Sequence, residues 1–296
     1  MQKLRIRYAK RGRLRFTSHR DVARTFERAL RRAGVPMAYS QGFNPHPKVS
    51  WIGASPTGVA SEAEYVEIQV VEPVDPRALR TALDAALPPG LDVLETVEAG
   101  PGALADRIEA SRWRIELPGV TPDELRTAVA ALLAAESVQV ERLTKDGRRE
   151  IDVRPAVVSA EVVADSTAAG GTDTAAPTAV SGAGQDAGSA ADHGAPPEVG
   201  HVQPDDSAGL PRSCGILVTV VRQTTPAVRP DDVLSALRVV ADLVPPVPAK
   251  ATRMAQGRLD DDGRLVDPFA RERAAASAPA VGEQEPGEDV VGGPVA

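Results

Sequence analysis

Arginines recur at positions 20, 24, 28 and 31, spaced four, four and three. On a helix that spacing sets Arg20, Arg24, Arg28 and Arg31 in one stripe, with Arg32 at its flank. Such a stripe suits a polyanion, because each phosphate it neutralises releases counterion. Guanidinium also bonds phosphate in bidentate fashion and stacks on bases. Arg5, Arg7, Arg11, Arg13, Arg15 and Lys48 are expected to join the same basic lobe. The bland alternative is a solvated helix face.

A second constellation follows at Gln41-Gly42-Phe43-Asn44-Pro45-His46-Pro47-Lys48. Two prolines frame His46 with fixed φ angles, and Gly42 permits a sharp turn. Gln41 and Asn44 can read hydrogen-bonding edges, while Phe43 or Tyr39 can stack on a base or pack in the core. A rigid polar loop of this kind points to function; a structural turn is the alternative.

His19 and His46 are weak catalytic candidates. Histidine can serve as acid, base or metal ligand near neutral pH. These two are separated by a helix and form no metal-ligand spacing, so no metal or other cofactor is expected. No GxSxG, Walker or GxGxxG pattern occurs in a supporting context. Cys214, the single cysteine, lies in an apolar run and reads as a small buried hydrophobe. In Glu150-Ile151-Asp152-Val153-Arg154-Pro155, alternation sets Asp152 and Arg154 on one strand face, which reads as an ion pair or an edge strand.

The elements that must hold these residues begin with MQKLRIRY. There Leu4, Ile6 and Tyr8 alternate with Lys3, Arg5 and Arg7 as in a half-buried strand. A basic loop over 9–17 follows, with a short strand at Leu14–Phe16. Ser18 caps a helix whose apolar positions are Val22, Ala23, Phe26, Ala29, Leu30 and Ala33, and Gly34 and Pro36 stop it. Strands are expected at 48–54, 64–71 and 91–97, with a helix over 75–87 capped by Asp75. The order is β-α-β-β-α-β, the ferredoxin-like arrangement. A second cycle has strands at 112–117, 138–143, 150–154 and 156–163, then 214–221 and 250–254, with helices at 122–134 and 230–242.

The expected fold class is therefore α+β. A basic unit at 1–100 precedes a second ferredoxin-like unit at 110–163 plus 213–255. Residues 164–212 are rich in Ala, Gly, Ser, Thr, Asp and Pro and lack aromatics. They read as a disordered insertion, and 256–296 as a disordered tail.

Residues 1–50 hold 13 Lys or Arg against Asp21 and Glu27, a balance of +11. The whole chain carries −7, so the remainder carries −18. A basic docking surface beside acidic segments follows. One cysteine makes no intramolecular disulfide and no cluster site. No secretory h-region and no long apolar span is present, so the sequence predicts a cytoplasmic protein away from membranes.

LRFTSHRDVARTFERALRRAGVPMAYSQGFNPHPKVSW (Leu14–Trp51) and SPTGVASEAEYVEI (Ser55–Ile68), with the later REIDVRP (Arg149–Pro155), resemble the radical-SAM-linked protein family, a bacterial domain of unknown function. The resemblance covers about 1–160 and 213–255. It implies a domain that follows a B12-binding radical SAM enzyme in one chain or stands alone, and the standalone form is the expectation for this chain. This chain lacks a CxxxCxxC triplet, so it is not itself a radical SAM enzyme. The resemblance assigns no catalytic residue. The tandem arrangement is also similar to that of CRISPR repeat-processing endoribonucleases, a likeness of fold alone.

The first functional expectation is an RNA-binding accessory protein for tRNA or rRNA, using Arg20, Arg24, Arg28, Arg31, Gln41, Phe43, Asn44, His46 and Lys48. A protein-interaction module serving a separate radical SAM enzyme in trans is the second. A metal-independent endoribonuclease using His46 or His19 is the third.

Overall fold

A computed structural model describes residues 1–144, 147–163 and 213–277. The chain runs β1 (Gln2–Lys10), a 3-10 turn (Gly12–Phe16), α1 (His19–Arg32), β2 (Val49–Ile52), β3 (Ala60–Val70), α2 (Pro76–Ala86) and β4 (Val93–Glu98). It continues β5 (Ala110–Pro118), α3 (Pro122–Ala134), β6 (Gln139–Thr144), β7 (Gly147–Asp152), β8 (Val157–Val163), β9 (Cys214–Arg222), α4 (Pro230–Ala241), β10 (Lys250–Leu259), β11 (Leu265–Val266) and α5 (Ala270–Ser277). The fold is mixed α+β, with five helices and one large sheet among the described residues.

The helices start where the caps dictate. The Ser18 hydroxyl accepts from the Asp21 amide, Asp75 accepts from the Arg77 and Ala78 amides, and Thr121 with Glu124 closes a capping box. Pro76, Pro122 and Pro230 occupy first turns, where the missing N–H costs nothing. Gly34 takes φ +66° just past α1, a left-handed conformation that ends the helix.

The main sheet runs β4-β1-β3-β10-β5-β9-β8, with β2 also on β3 and β11 on β10; β6 and β7 pair with each other apart from it. Neighbours on this path are antiparallel except β10 with β3, which are parallel through Thr252–Ala60 and Arg253–Ser61. That short ladder joins the two halves of the sheet. β2 lies against the same strand farther along, pairing Trp51 with Val66 and Ile52 with Tyr65.

Each half has its own apolar core. Leu4, Ile6 and Tyr8 of β1 pack with Phe26 and Leu30 of α1 and Leu79 and Leu83 of α2. Ile115 and Leu117 of β5 pack with Leu125 and Leu132 of α3 and Val233 and Leu237 of α4. A third cluster joins Ala63 and Tyr65 of β3 to Leu104, Ile108 and Phe269. β3 thus buries both faces: Val66, Ile68 and Val70 on one, Ala63 and Tyr65 on the other.

Two local expectations change. Leu14–Phe16 belongs to a 3-10 turn rather than a strand, held by amide bonds from Leu14 to Arg11 O and from Thr17 to Leu14 O. Residues 256–277, expected within a disordered tail, complete β10 and form β11 and α5, with Phe269 wholly buried against Tyr65. One aromatic and a buried Glu272 anchor this segment, too few apolar residues to stand out in a polar sequence. The expected insertion at 164–212 and the tail over 278–296 lie outside the described residues.

Candidate nucleic-acid interface

α1 is built by its opposite faces. Val22, Phe26, Ala29 and Leu30 are buried against the sheet, while Arg20, Arg24, Arg28 and Arg31 are exposed. At 3.6 residues per turn those four span an arc of about 80°, opposite the buried face. Arg24 approaches Asp21 at 4.0 Å, with both side chains more than half exposed. Arg28 donates to the Thr25 hydroxyl, and Arg32 donates to Ala86 O. Arg20 and Arg31 have no side-chain partner among the described residues. The four arginines therefore share one open face.

The proline-framed segment forms a small projecting hairpin on the edge of β3. Its base is tied by Ala38 N to Gln69 O, Gln69 N to Lys48 O and Lys48 N to Ala38 O, each between 2.8 and 3.1 Å. Ser40 locks the arms: its amide donates to His46 O at 2.8 Å, and its hydroxyl accepts from His46 N at 2.9 Å. At the tip, Gln41, Phe43, Asn44 and His46 are all exposed, as is Lys48 at the base. Phe43 is 105% exposed, so the tip holds its ring out of the core altogether. Tyr39 at 53% and Phe16 at 59% are the other exposed aromatics. The Arg15 guanidinium lies 4.6 Å from the Phe16 ring centroid. Of the two roles open to Phe43 and Tyr39, packing in the core is ruled out by this exposure.

The remaining arginines of the expected basic lobe do not all join it. Arg5 is 1% exposed and bonded to Glu67 and Glu272. Arg7 faces Asp267 at 3.5 Å, and Arg11 is held between Glu62 and Asp92. For Arg5 and Arg7 the physical reason is position: β1 is an interior strand, and its arginine face lies under α5 and the segments 99–108 and 267–269 instead of solvent, whereas Arg11, just past β1, is held by carboxylates of β3 and of the turn before β4. Arg13 and Lys48 are exposed and Arg15 is half-buried, and none of the three is paired with a carboxylate among the described residues.

His19 opens α1 and sits edge-on to Trp51 with ring centroids 5.3 Å apart. His46 is on the hairpin; no contact joins the two among the described residues. No group of three His, Cys, Asp or Glu side chains among the described residues is placed to hold a metal. Cys214 is half-buried at the start of β9 rather than fully buried. Asp152 accepts from the Val138 and Arg154 amides, and the Arg154 guanidinium donates to Val157 O and Leu133 O, so both side chains tie down backbone instead of pairing.

Sequence reasoning missed a buried polar network at the seam of the sheet. Arg253 of β10 pairs with Glu64 of β3 and donates to the Ser61 hydroxyl at 3.3 Å and Gln256 Oε1 at 3.1 Å. Gln256 donates to Ala63 O at 2.6 Å, and Lys10 donates to Ser55 O and Pro56 O. Burial pushes the Glu64 carboxyl up, but Arg253, Ser61 and the Ser55 amide outweigh it and hold it below the usual carboxylate range. Above this network lies an open cleft of about 690 Å³, lined by the β2–β3 loop, β5, β10 and the β9–α4 loop. No motif marks it, because its residues come from four distant segments; only the oddity of charged Arg253 within a strand could have drawn attention.

No helix among the described residues is long and apolar enough to cross a membrane. Residues 3–187 match the model of a family described as an uncharacterized protein conserved in bacteria, DUF2344. No curated protein matches the chain.

Proposed function

The chain belongs to this uncharacterised bacterial family, and from that premise we propose that it is an RNA-binding accessory protein, with tRNA or rRNA as its ligand and the cytoplasm as its compartment. The observation that carries the reading is Phe43, a phenylalanine presented wholly to solvent at the tip of a braced hairpin that follows the open stripe Arg20, Arg24, Arg28 and Arg31. An exposed Phe forgoes about 1.5–3 kcal/mol of burial. Single-stranded RNA uses this pairing of groups, with bases stacked on aromatic or guanidinium planes and phosphates on cations. In this reading Gln41, Asn44 and His46, exposed on the same hairpin as Phe43, meet base edges, and Lys48 meets a phosphate.

The strand order also supports reading the fold as two ferredoxin-like units. β4-β1-β3-β2 and β10-β5-β9-β8 repeat one order, each half with two helices in equivalent places. The blocks Leu14–Trp51 and Arg149–Pro155 support taking the family as the radical-SAM-linked one, with a radical SAM enzyme as a partner in trans. A protein-docking role for the exposed aromatics is the second reading, since Tyr and Arg anchor many protein interfaces.

Titration of a fluorescent single-stranded RNA at increasing salt tests the first reading. Affinity is expected to fall linearly on a log–log plot; a flat response would remove RNA as the ligand. Pull-down from lysate tests the second, and recovery of a radical SAM enzyme after nuclease treatment would favour it.

A further inference from the structure

The cleft at the seam has the make-up of a small-ligand site. Its volume of about 690 Å³ falls within the range of roughly 300–1,000 Å³ typical of such sites, which also favour boundaries between structural halves. It exists because β2 and β10 share one edge of β3 without meeting: β2 pairs with 65–68 and β10 with 60–61. The loop between β2 and β3 is forced outward there and makes one wall through Gly53, Ala54, Pro56 and Thr57. Gly53, at φ +56°, passes close to Gln256, where a Cβ would lie 3.0 Å from its Oε1.

The opposite wall mixes apolar and cationic groups. Trp113 of β5 sits across the ladder from Arg253, whose guanidinium carbon is 5.5 Å from the indole centroid. Val221 and Val228 extend that apolar wall, and Ser111, Gln223 and Thr224 supply hydroxyl and amide groups. Arg222, Arg229 and Arg253 line the cleft, and no carboxylate does. Arg253 is fixed by Glu64, Ser61 and Gln256 beneath it. Arg222 is paired at the rim with Glu109. Arg229 is exposed and has no side-chain partner among the described residues.

We propose that this cleft binds a nucleoside monophosphate, either free or as the terminal residue of an RNA. The base lies against the wall of Trp113, Val221 and Val228, with Gln223 and Thr224 at its edges. Arg229 and Arg222 take the phosphate. The buried network costs desolvation that a purely structural seam avoids with apolar residues, and it holds Arg253 and Trp113 ready for a ligand at little ordering cost. The loop that forms one wall of the cleft is tied to the 3-10 turn through Gly58 N to Arg15 O at 2.8 Å. The site goes beyond the RNA reading and stands on its own geometry.

Calorimetric titration of the full chain with adenosine monophosphate, uridine monophosphate, adenosine and inorganic phosphate tests it, alongside a short RNA with and without a terminal phosphate. Saturable binding of a monophosphate, weakened about tenfold or more in R222A/R229A, is expected. If only the phosphorylated RNA end shows that loss, the occupant is a chain terminus. R24A/R28A is expected to leave monophosphate binding unchanged and to weaken RNA alone, so the two sites fail independently. The proposal is overturned if no monophosphate and no phosphorylated end is preferred, if R222A/R229A binds as wild type, or if inorganic phosphate binds as tightly as the nucleotides.

Discussion

Arg5 and Glu272 stand 267 positions apart and meet at 2.5 Å with both side chains buried. The same carboxylate accepts from Arg107 at 2.7 and 2.8 Å and from the Gly100 amide at 3.2 Å. α5 is thereby clamped to the arginine face of β1. Glu272→Ala leaves Arg5 buried with only Glu67 and Gly102 O to satisfy it, and loss of one partner of a buried pair costs about 3–5 kcal/mol. Urea denaturation is expected to show that loss, with Glu272→Gln milder. A change below about 1 kcal/mol would mean that α5 contributes little to the fold.

Acid should weaken the same clamp. Burial pushes the Glu272 carboxyl up, but bonds from Arg107, the Glu272 amide and the Gly100 amide outweigh it and leave it below its ordinary value. Glu64 is shifted the same way by Arg253. A carboxylate depressed on folding contributes stability that is present above the unfolded value, about 4.3, and lost as pH falls through the folded one. Unfolding midpoints measured from neutral pH downward should therefore drop in acid, and the drop should be smaller in Glu272→Gln. Parallel curves for the two proteins would contradict this.

Much of the fold was legible because local signals are strong where caps and periodicity agree. Ser18, Asp75 and Thr121 each cap a helix in the way their side chains indicate. The open arginine stripe was legible for the same reason, as α1 has one apolar face and one charged face. β1 was misread in part: alternation correctly put Leu4, Ile6 and Tyr8 inward but implied solvent for Arg5. What covers Arg5 is contributed from beyond residue 99, and no local pattern reports a partner that distant. Phe269, the one aromatic after Trp113, was the available clue to that cover. The seam cleft assembles from segments near 53, 111, 222 and 253, so no spacing rule could find it.

Phe43→Ala separates binding from stability. The ring touches no core cluster and is fully exposed, so its loss should leave the thermal midpoint unchanged. Base stacking on an aromatic gives an expected loss of about tenfold or more in affinity for single-stranded RNA. Equal RNA affinity in the two proteins would remove Phe43 from the interface. His46→Ala, compared with wild type on labelled RNA in EDTA, should show no difference in cleavage. Cleavage that disappears with His46 would restore the ribonuclease reading.

The cations of the N-terminal region divide into two classes, and salt dependence tells them apart. Arg24 and Arg28 project from α1, with Asp21 only at 4.0 Å from Arg24. Arg11 is already neutralised by Glu62 and Asp92, and those bonds raise its pKa above the ordinary arginine value. Each phosphate contact on single-stranded RNA contributes about 0.7 to the slope of log affinity against log salt. R24A/R28A should therefore flatten the slope by about 1.4, since two contacts are removed. Arg11→Ala should leave it unchanged, because a guanidinium committed to two carboxylates releases no counterion when RNA arrives. Fluorescence anisotropy at several salt concentrations measures both slopes. Equal flattening by Arg11→Ala and R24A/R28A would mean that net charge, and not the open stripe, governs binding.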